Sequence, residues 1–373
     1  MPEVFQSSHF GFLPARGEVI ERIEDAGLGR VRNIKLFKFS SCTPAFQVDL
    51  ERTDGRAKRV VLRGEQQNDL LVMNSDERSI EKEIWMLNRV RSLGLNAPEV
   101  LLESQIFSTP GYDSSGEFNQ DFRFFLMEFA GGKAMDRQVK EADEAERLRL
   151  FDRIAEIYAR VHSVEGNQYG VADGKGNAVF GETDLETFLA RRTERLCDII
   201  AGLGEASFAD EIRRFADREA GPLYRDLLES GYQPSPRLCL IDGFCGNMLM
   251  EGDRINLIDM AMGGFFEPVT EFCAFVYPLQ ELLLESAGEQ TYWEHFLDAY
   301  RKHGGRLPAL PLIVRLLRFM FVNVLIQQLI YWMESPSTQQ QEKARMLAAQ
   351  MPGLLRPGID QLEDLVSAIR RSA

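Results

Sequence analysis

The chain has 373 residues, 45% of them hydrophobic and 27% charged, a balance that suits globular packing and excludes disorder and collagen-like repeats. That length predicts one large or two medium domains, roughly 150 residues each. Lys and Arg number 43 against 57 Asp and Glu, a net charge of -14 with no offsetting basic block, so nucleic acid is not expected as a partner.

Residues 34–39 and 45–50 are short β-prone runs separated by Ser40-Ser41-Cys42-Thr43-Pro44. Asp54-Gly55 supplies the positive φ of a tight turn, and residues 58–63 (KRVVLR) complete a three-stranded antiparallel meander. A helix is predicted over residues 76–93, because Ile80, Ile84, Leu87 and Val90 recur at helical spacing and Gly94 stops it. Glu83 falls inside that apolar stripe, where a carboxylate needs a partner. Strands follow at 99–102, after Pro98, and at 122–129 (FRFFLMEF), with 108–120 between them reading as a surface loop. Ala130-Gly131-Gly132 is a natural joint, which divides the chain into an N-terminal unit, 1–130, and a second unit, 131–373.

The second unit reads as mainly helical, with helical periodicity over 148–164, 185–203, 208–228, 291–303 and 312–333. The last is the most apolar segment, yet Arg315, Arg318, Asn323, Gln327 and Gln328 inside it would be costly in a bilayer. It is therefore read as a buried helix of a soluble protein, with no membrane partner. No basic stretch followed by an apolar run opens the chain, so no secretory leader is expected. The five cysteines form no CxxC pair and the four histidines do not cluster with them, which argues against a zinc site or disulfide framework and for a cytoplasmic location.

One interruption breaks the helical pattern. Residues 238–241, 248–250 and 255–258 are short apolar runs, the last two joined by Glu251-Gly252-Asp253 as a hairpin. Around it lie three oxygen-bearing side chains: Asp242, Asn247 and, at the end of Ile255-Asn256-Leu257-Ile258, Asp259. Such oxygens suit a hard cation like Mg²⁺, which takes few protein ligands. A remaining carboxylate can accept the proton of an attacking hydroxyl, and phosphoryl transfer asks for little beyond positioning and charge neutralisation. Taken alone, Asp242 and Asn247 read better as turn caps; with Asp259 and the upstream segments that order reverses. Asp136 and His162 are read as structural, and Cys245 as a space-filler rather than a nucleophile.

Asp-x4-Asn, a short hairpin and then Ile-Asp resembles the catalytic and metal loops of the aminoglycoside phosphotransferase-like small-molecule kinases, a branch of the protein-kinase-like fold. Other segments agree in order. Arg59-Val60-Val61-Leu62-Arg63 resembles the strand carrying the phosphate-binding cation, and residues 79–102 are similar to the helix-then-Pro-strand pattern, with Glu83 at the helix glutamate. Residues 124–132 resemble the interlobe hinge, 154–162 the helix ending in Leu-His, and Glu267-Pro268 with Glu271 the acidic pair after the metal loop.

The resemblance implies an α+β, two-lobed kinase-like fold: a five-stranded antiparallel N-lobe with one helix, and a mainly helical C-lobe. It implies an ATP- and Mg²⁺-dependent phosphotransferase, with GTP as the alternative nucleotide, acting on a hydroxyl of a small molecule such as an antibiotic or amino alcohol. Asp242 would be the catalytic base; Asn247 and Asp259 would hold Mg²⁺. Arg63 would contact the phosphates and pair with Glu83, while Ser40, Ser41 and Thr43 would lie over the phosphates. The backbone of Glu128, Phe129 and Ala130 would meet the adenine. The chain departs from the family where Leu240 replaces the usual histidine two residues before the base, and where Arg63 replaces the usual lysine. A catalytically inactive nucleotide-binding or scaffold protein of the same fold is the alternative reading.

Overall fold

A computed structural model describes residues 16–38, 45–52, 54–66, 80–113, 116–241, 245–333 and 338–372. The chain divides into two compact units. The first holds Met1–Gly132 with two later segments, Asp173–Gly176 and Glu251–Ala261; the second holds Lys133–Ala172, Asn177–Met250 and Met262–Ala373.

In the first unit, helix α1 (Arg16–Asp25) leads into strands β1 (Arg30–Lys38), β2 (Ala45–Glu51) and β3 (Ala57–Gln66). Helix α2 (Ile80–Ser92) and strands β4 (Val100–Asp113) and β5 (Gly116–Glu128) follow. The five strands form one antiparallel sheet in the order β1-β2-β3-β5-β4. Strand alternation divides its residues between two faces. One face carries Val48, Leu50, Val60, Leu62, Phe124 and Leu126, and α1, which the sequence reading passes over, closes this core with Val19 and Ile23. On the other face Val61 lies opposite Met127 and Arg63 opposite Phe125.

The segment read as a surface loop, 108–120, is instead a continuation of the β4–β5 ladder, from Ser108 opposite Asp121 to Asp113 opposite Gly116. Its Ser, Pro and Gly residues suggest turns, but backbone pairing needs no apolar alternation. Pro110 is tolerated because β4 is the edge strand.

The second unit opens with β6 (Lys133–Ala134), α3 (Met135–Glu141) and α4 (Glu144–Val161), the last capped by Asp143, whose side chain accepts the Glu146 amide. A hairpin absent from the sequence reading follows, β7 (Tyr169–Ala172) and β8 (Ala178–Glu182), then α5 (Leu185–Gly202) and α6 (Ala206–Glu229). Next come β9 (Arg237–Cys239), a 3-10 turn at Cys245–Asn247 and β10 (Met248–Glu251), with β11 (Arg254–Leu257) returning to the first unit. Strand β12 (Gly264–Phe266) pairs with β7 and β9, so β8-β7-β12-β9 form one sheet.

The remainder is α7 (Pro268–Leu283), the two-residue strands β13 (Ser286–Ala287) and β14 (Gln290–Thr291), α8 (Tyr292–Lys302), α9 (Leu310–Met333), α10 (Thr338–Gln350), α11 (Pro352–Leu355) and α12 (Leu362–Ser372). Helix α8 starts at a capping box between Thr291 and Glu294. Aromatic rings from α4, α7 and α8 meet, with Phe275 and Phe296 centroids 4.4 Å apart. Helix α9 is long and apolar enough to cross a membrane by length and composition, but 72% of its apolar window is buried within the structure. Its polar residues have partners there: Arg318 donates to the Leu354 carbonyl at 2.8 Å, Arg315 to Asp226 at 2.5 Å, and Asn323 to the Phe319 carbonyl at 3.0 Å.

Candidate active site

Strand β3 sets Arg63 on the face toward α2, where it is 3% exposed. Its Nε donates to Glu83 Oε2 at 3.2 Å and its Nη2 to Asp259 Oδ1 at 2.7 Å. One guanidinium thus bridges two carboxylates that lie 176 residues apart in sequence, using the planar fork that a lysine lacks. Burial opposes the charge on Arg63, but the two carboxylates outweigh it and raise its pKa above the ordinary value. Burial pushes the Glu83 carboxyl up; Arg63 pulls it back and Asp259 adds to the rise.

Arg63, Glu83 and Asp259 sum to -1, with the buried Lys82 also acting on Glu83, and Glu83 Oε1, fully buried, has no hydrogen-bond partner among the described residues. A buried acceptor without a donor, beside a carboxylate that keeps some exposure (18% for Asp259), is a place that tolerates added positive charge. All the ligand atoms on offer are oxygens, which suits Mg²⁺ rather than a softer metal. The residues of the first unit therefore fit a magnesium-bound phosphate group. Asp259 stands at φ 59, one of two residues other than glycine at positive φ among those described.

The joint begins where Glu128 pairs with Val60 and its amide donates to the Glu99 carbonyl at 2.9 Å. The Arg59 guanidinium lies 5.1 Å over the Phe129 ring, and Ala130 is half-buried. An open pocket of about 230 Å³ lies beside these residues, on the side of Ala97 and Pro98, with Arg59, Arg254 and Asn256 in its wall. No residue of β1 or β2, nor Arg63 or Asp259, lines it, so it is separate from the charged cluster. Ser40, Ser41, Thr43 and Asp242 lie outside the described residues.

In the second unit, β9 runs into Leu240, whose side chain is 3% exposed and whose amide donates to Glu271 Oε1 at 2.9 Å. Glu271 Oε2 lies 2.8 Å from His162 Nε2, and His162 Nδ1 lies 2.8 Å from the Tyr300 hydroxyl. Tyr158 stacks on the imidazole with centroids 5.7 Å apart. Leu240 thus packs as an apolar residue, and the strand end is braced through its backbone amide. Ile241, the residue before Asp242, is the second positive-φ position, at 58°. For a β-branched side chain that conformation is a genuine outlier. Asn247 ends the 3-10 turn and is buried, 7% exposed.

His162, Cys239 and Glu271 bring metal-ligating atoms within 4.8 Å of one another. Both imidazole nitrogens are engaged in hydrogen bonds, to Glu271 and Tyr300, and burial pushes the Cys239 thiol well above its ordinary range, so the cluster reads as a hydrogen-bonded brace. A further acid, Glu267, stands at the N-cap position of α7 without a side-chain cap bond; Tyr232 donates its hydroxyl to Oε1 at 2.5 Å, and burial raises the carboxyl to about 7. Tyr300 and Tyr232 carry no motif that marks them in the sequence; only the fold brings them to these acids.

A model of the phosphotransferase enzyme family matches residues 50–311. Among solved structures, the chain is similar to a mutant aminoglycoside 2'-phosphotransferase-IIIa with GDP bound, at 13% identity and a TM-score of 0.56, covering 92% of this chain and 100% of that one. The ternary complex of streptomycin, ATP and APH(2")-IIa matches at 15% identity and a TM-score of 0.53, over 91% of this chain and 97% of that one. A thermostable mutant of aminoglycoside phosphotransferase APH(4)-Ia with ADP and hygromycin B matches at 16% and 0.55, over 91% and 98%. At such identities the likeness establishes a shared fold: an antiparallel-sheet N-terminal region and a helical C-terminal region. No curated protein matches the chain.

Proposed function

The chain belongs to the phosphotransferase enzyme family, and from that premise we propose that it transfers the terminal phosphoryl group of ATP, or of GTP as the alternative, to a hydroxyl of a small molecule with Mg²⁺ as cofactor. The observation that carries the reading is the Arg63–Glu83–Asp259 cluster: a buried cation held beside a carboxylate that keeps some exposure. Arg63 neutralises phosphate charge and is held for that task by Glu83. Asp259 in the first unit and Asn247 in the second are assigned as metal ligands. When bound, Mg²⁺ would offset charge on the phosphate oxygens and keep them oriented.

Asp242 is assigned as the base that takes the proton of the acceptor hydroxyl, while Ser40, Ser41 and Thr43 are assigned to the phosphates and the backbone of Glu128, Phe129 and Ala130 to the purine. The inactive-scaffold reading rests on Leu240. The Glu271 carboxylate holds the Leu240 amide at 2.9 Å, a brace that replaces the missing histidine and weighs for activity. The net charge of -14 favours an amine-bearing acceptor, in keeping with structural relatives named for aminoglycosides.

The test is a thermal-shift titration with ATP and GTP, with and without Mg²⁺, followed by a product assay against hydroxylated amines. A Mg²⁺-dependent rise in Tm and a product heavier by one phosphoryl group, lost in Asp242→Asn, are expected. Absence of any shift at millimolar nucleotide would overturn the reading.

A further inference from the structure

The turn between β7 and β8, Asp173-Gly174-Lys175-Gly176, groups with the first unit. It is closed on itself, the Lys175 amide donating to Asp173 Oδ1 at 2.8 Å and the Gly176 amide to the Asp173 carbonyl at 3.1 Å. Its two glycines press directly on α2. A Cβ on Gly174 would stand 2.6 Å from Glu81 Cβ and 3.3 Å from the Glu81 carbonyl carbon. A Cβ on Gly176, at φ +83, would stand 2.3 Å from Trp85 Cζ2. Real Cβ atoms essentially never come within 3.0 Å of a neighbour, so the 2.6 and 2.3 Å approaches exist only because both residues are glycine.

Glu81 and Trp85 are four apart and share one face of α2. Glu83, two residues from each, points about 160–200° away from them around the helix axis. The turn therefore bears on the side of α2 opposite the one from which Glu83 reaches Arg63. That bond is already 3.2 Å long. Moving α2 by about 0.5 Å would take it beyond hydrogen-bonding distance.

We propose that the Asp173–Gly176 turn is a positioning element that holds α2 at the depth where Glu83 meets Arg63, and thereby tunes the affinity of this cluster for a nucleoside triphosphate. The affinity clause rests on the function proposed above; the positioning clause does not. None of the four turn residues touches the reacting groups; they act through α2.

The experiment is a set of melting temperatures for Glu83→Ala in three backgrounds: the unaltered chain, Gly176→Ala and Gly288→Ala. Gly288, at φ +69 with nothing within 4 Å of an added Cβ, has the same backbone strain without the contact. Glu83→Ala is expected to lower Tm by several degrees in the unaltered chain and in Gly288→Ala, but by less than half as much in Gly176→Ala, because coupled sites are not additive. Equal losses in all three backgrounds would overturn the proposal. Should Gly176→Ala fail to fold, Gly174→Ala, which is not at positive φ, takes its place in the cycle. Titration with ATP and Mg²⁺ should show affinity reduced about tenfold in Gly176→Ala and unchanged in Gly288→Ala; equal affinities would remove the affinity clause. If the unaltered chain binds no nucleotide, the function fails, while the melting cycle still decides the positioning.

Discussion

In the first unit, buried carboxylates are matched by a full positive charge: Arg63 spans Glu83 and Asp259 with two hydrogen bonds. In the second, Glu271 is met by the Leu240 amide and the His162 ring, and Glu267 by the Tyr232 hydroxyl. Burial drives both Glu83 and Glu267 upward, but only Glu83 has a guanidinium hydrogen-bonded to it and pulling against the rise. One cluster is thus built to keep its charges where an external cation can be added. The other is a brace under the strand ends, held by hydrogen bonds from a backbone amide, an imidazole and a phenol. A buried carboxylate alone does not mark a site of chemistry; the charge that accompanies it does.

The contrast is broken most severely at Arg63. Arg63→Met leaves Glu83 and Asp259 facing each other without a cation, which should cost about 3–5 kcal/mol in urea unfolding and abolish turnover. Replacing Glu83 by Leu as well should recover part of the stability and none of the activity, a split that denaturation and product assays read separately.

The next effect follows from pH. Glu267 titrates near 4.5 when unfolded and at about 7 in the folded chain. The folded state holds the extra proton between those values. Its contribution is therefore fully present below about pH 4.5 and is lost as pH rises to about 7, on the order of 3 kcal/mol across that window. Unfolding free energies measured at several pH values should show this slope, and Glu267→Gln should flatten it. A slope surviving in Glu267→Gln would assign it to another group.

The smallest change sharpens the same comparison. Tyr300→Phe removes only the hydroxyl beside His162 Nδ1, and about 1 kcal/mol of stability should go with it. Nucleotide affinity should stay put in the same titration, because the hydroxyl's partner is His162 and not a residue assigned to nucleotide or metal.

Much of the first unit is legible from sequence because its signals are local: short β-prone runs at 45–50 and 58–63, Asp54-Gly55 at a turn, and the 3.6-residue stripe that carries Glu83. That Glu83 needs a partner is also readable; that Arg63 serves both Glu83 and Asp259 is not, since no local pattern relates positions 63 and 259. The extended β4–β5 hairpin is hidden because its ladder is backbone pairing through residues with turn-like side chains. What the glycines of Asp173-Gly174-Lys175-Gly176 permit, close contact with Glu81 and Trp85, depends on long-range packing that no local pattern announces. His162, expected to be structural, sits in the brace beneath Leu240, a placement set by α7 and α8 rather than by its neighbours in sequence.

The left-handed backbone of Ile241, at φ 58, has a consequence for anyone who sets out to make this chain more heat-tolerant. Swapping a strained β-branched residue for glycine relieves backbone strain, here roughly 1–2 kcal/mol. Asp259, at φ 59, offers no such gain, because its side chain tolerates that conformation and is tied to Arg63. Ile241 directly precedes the assigned base, so a library ranked on melting temperature alone would enrich Ile241→Gly and with it a loosened approach to that base.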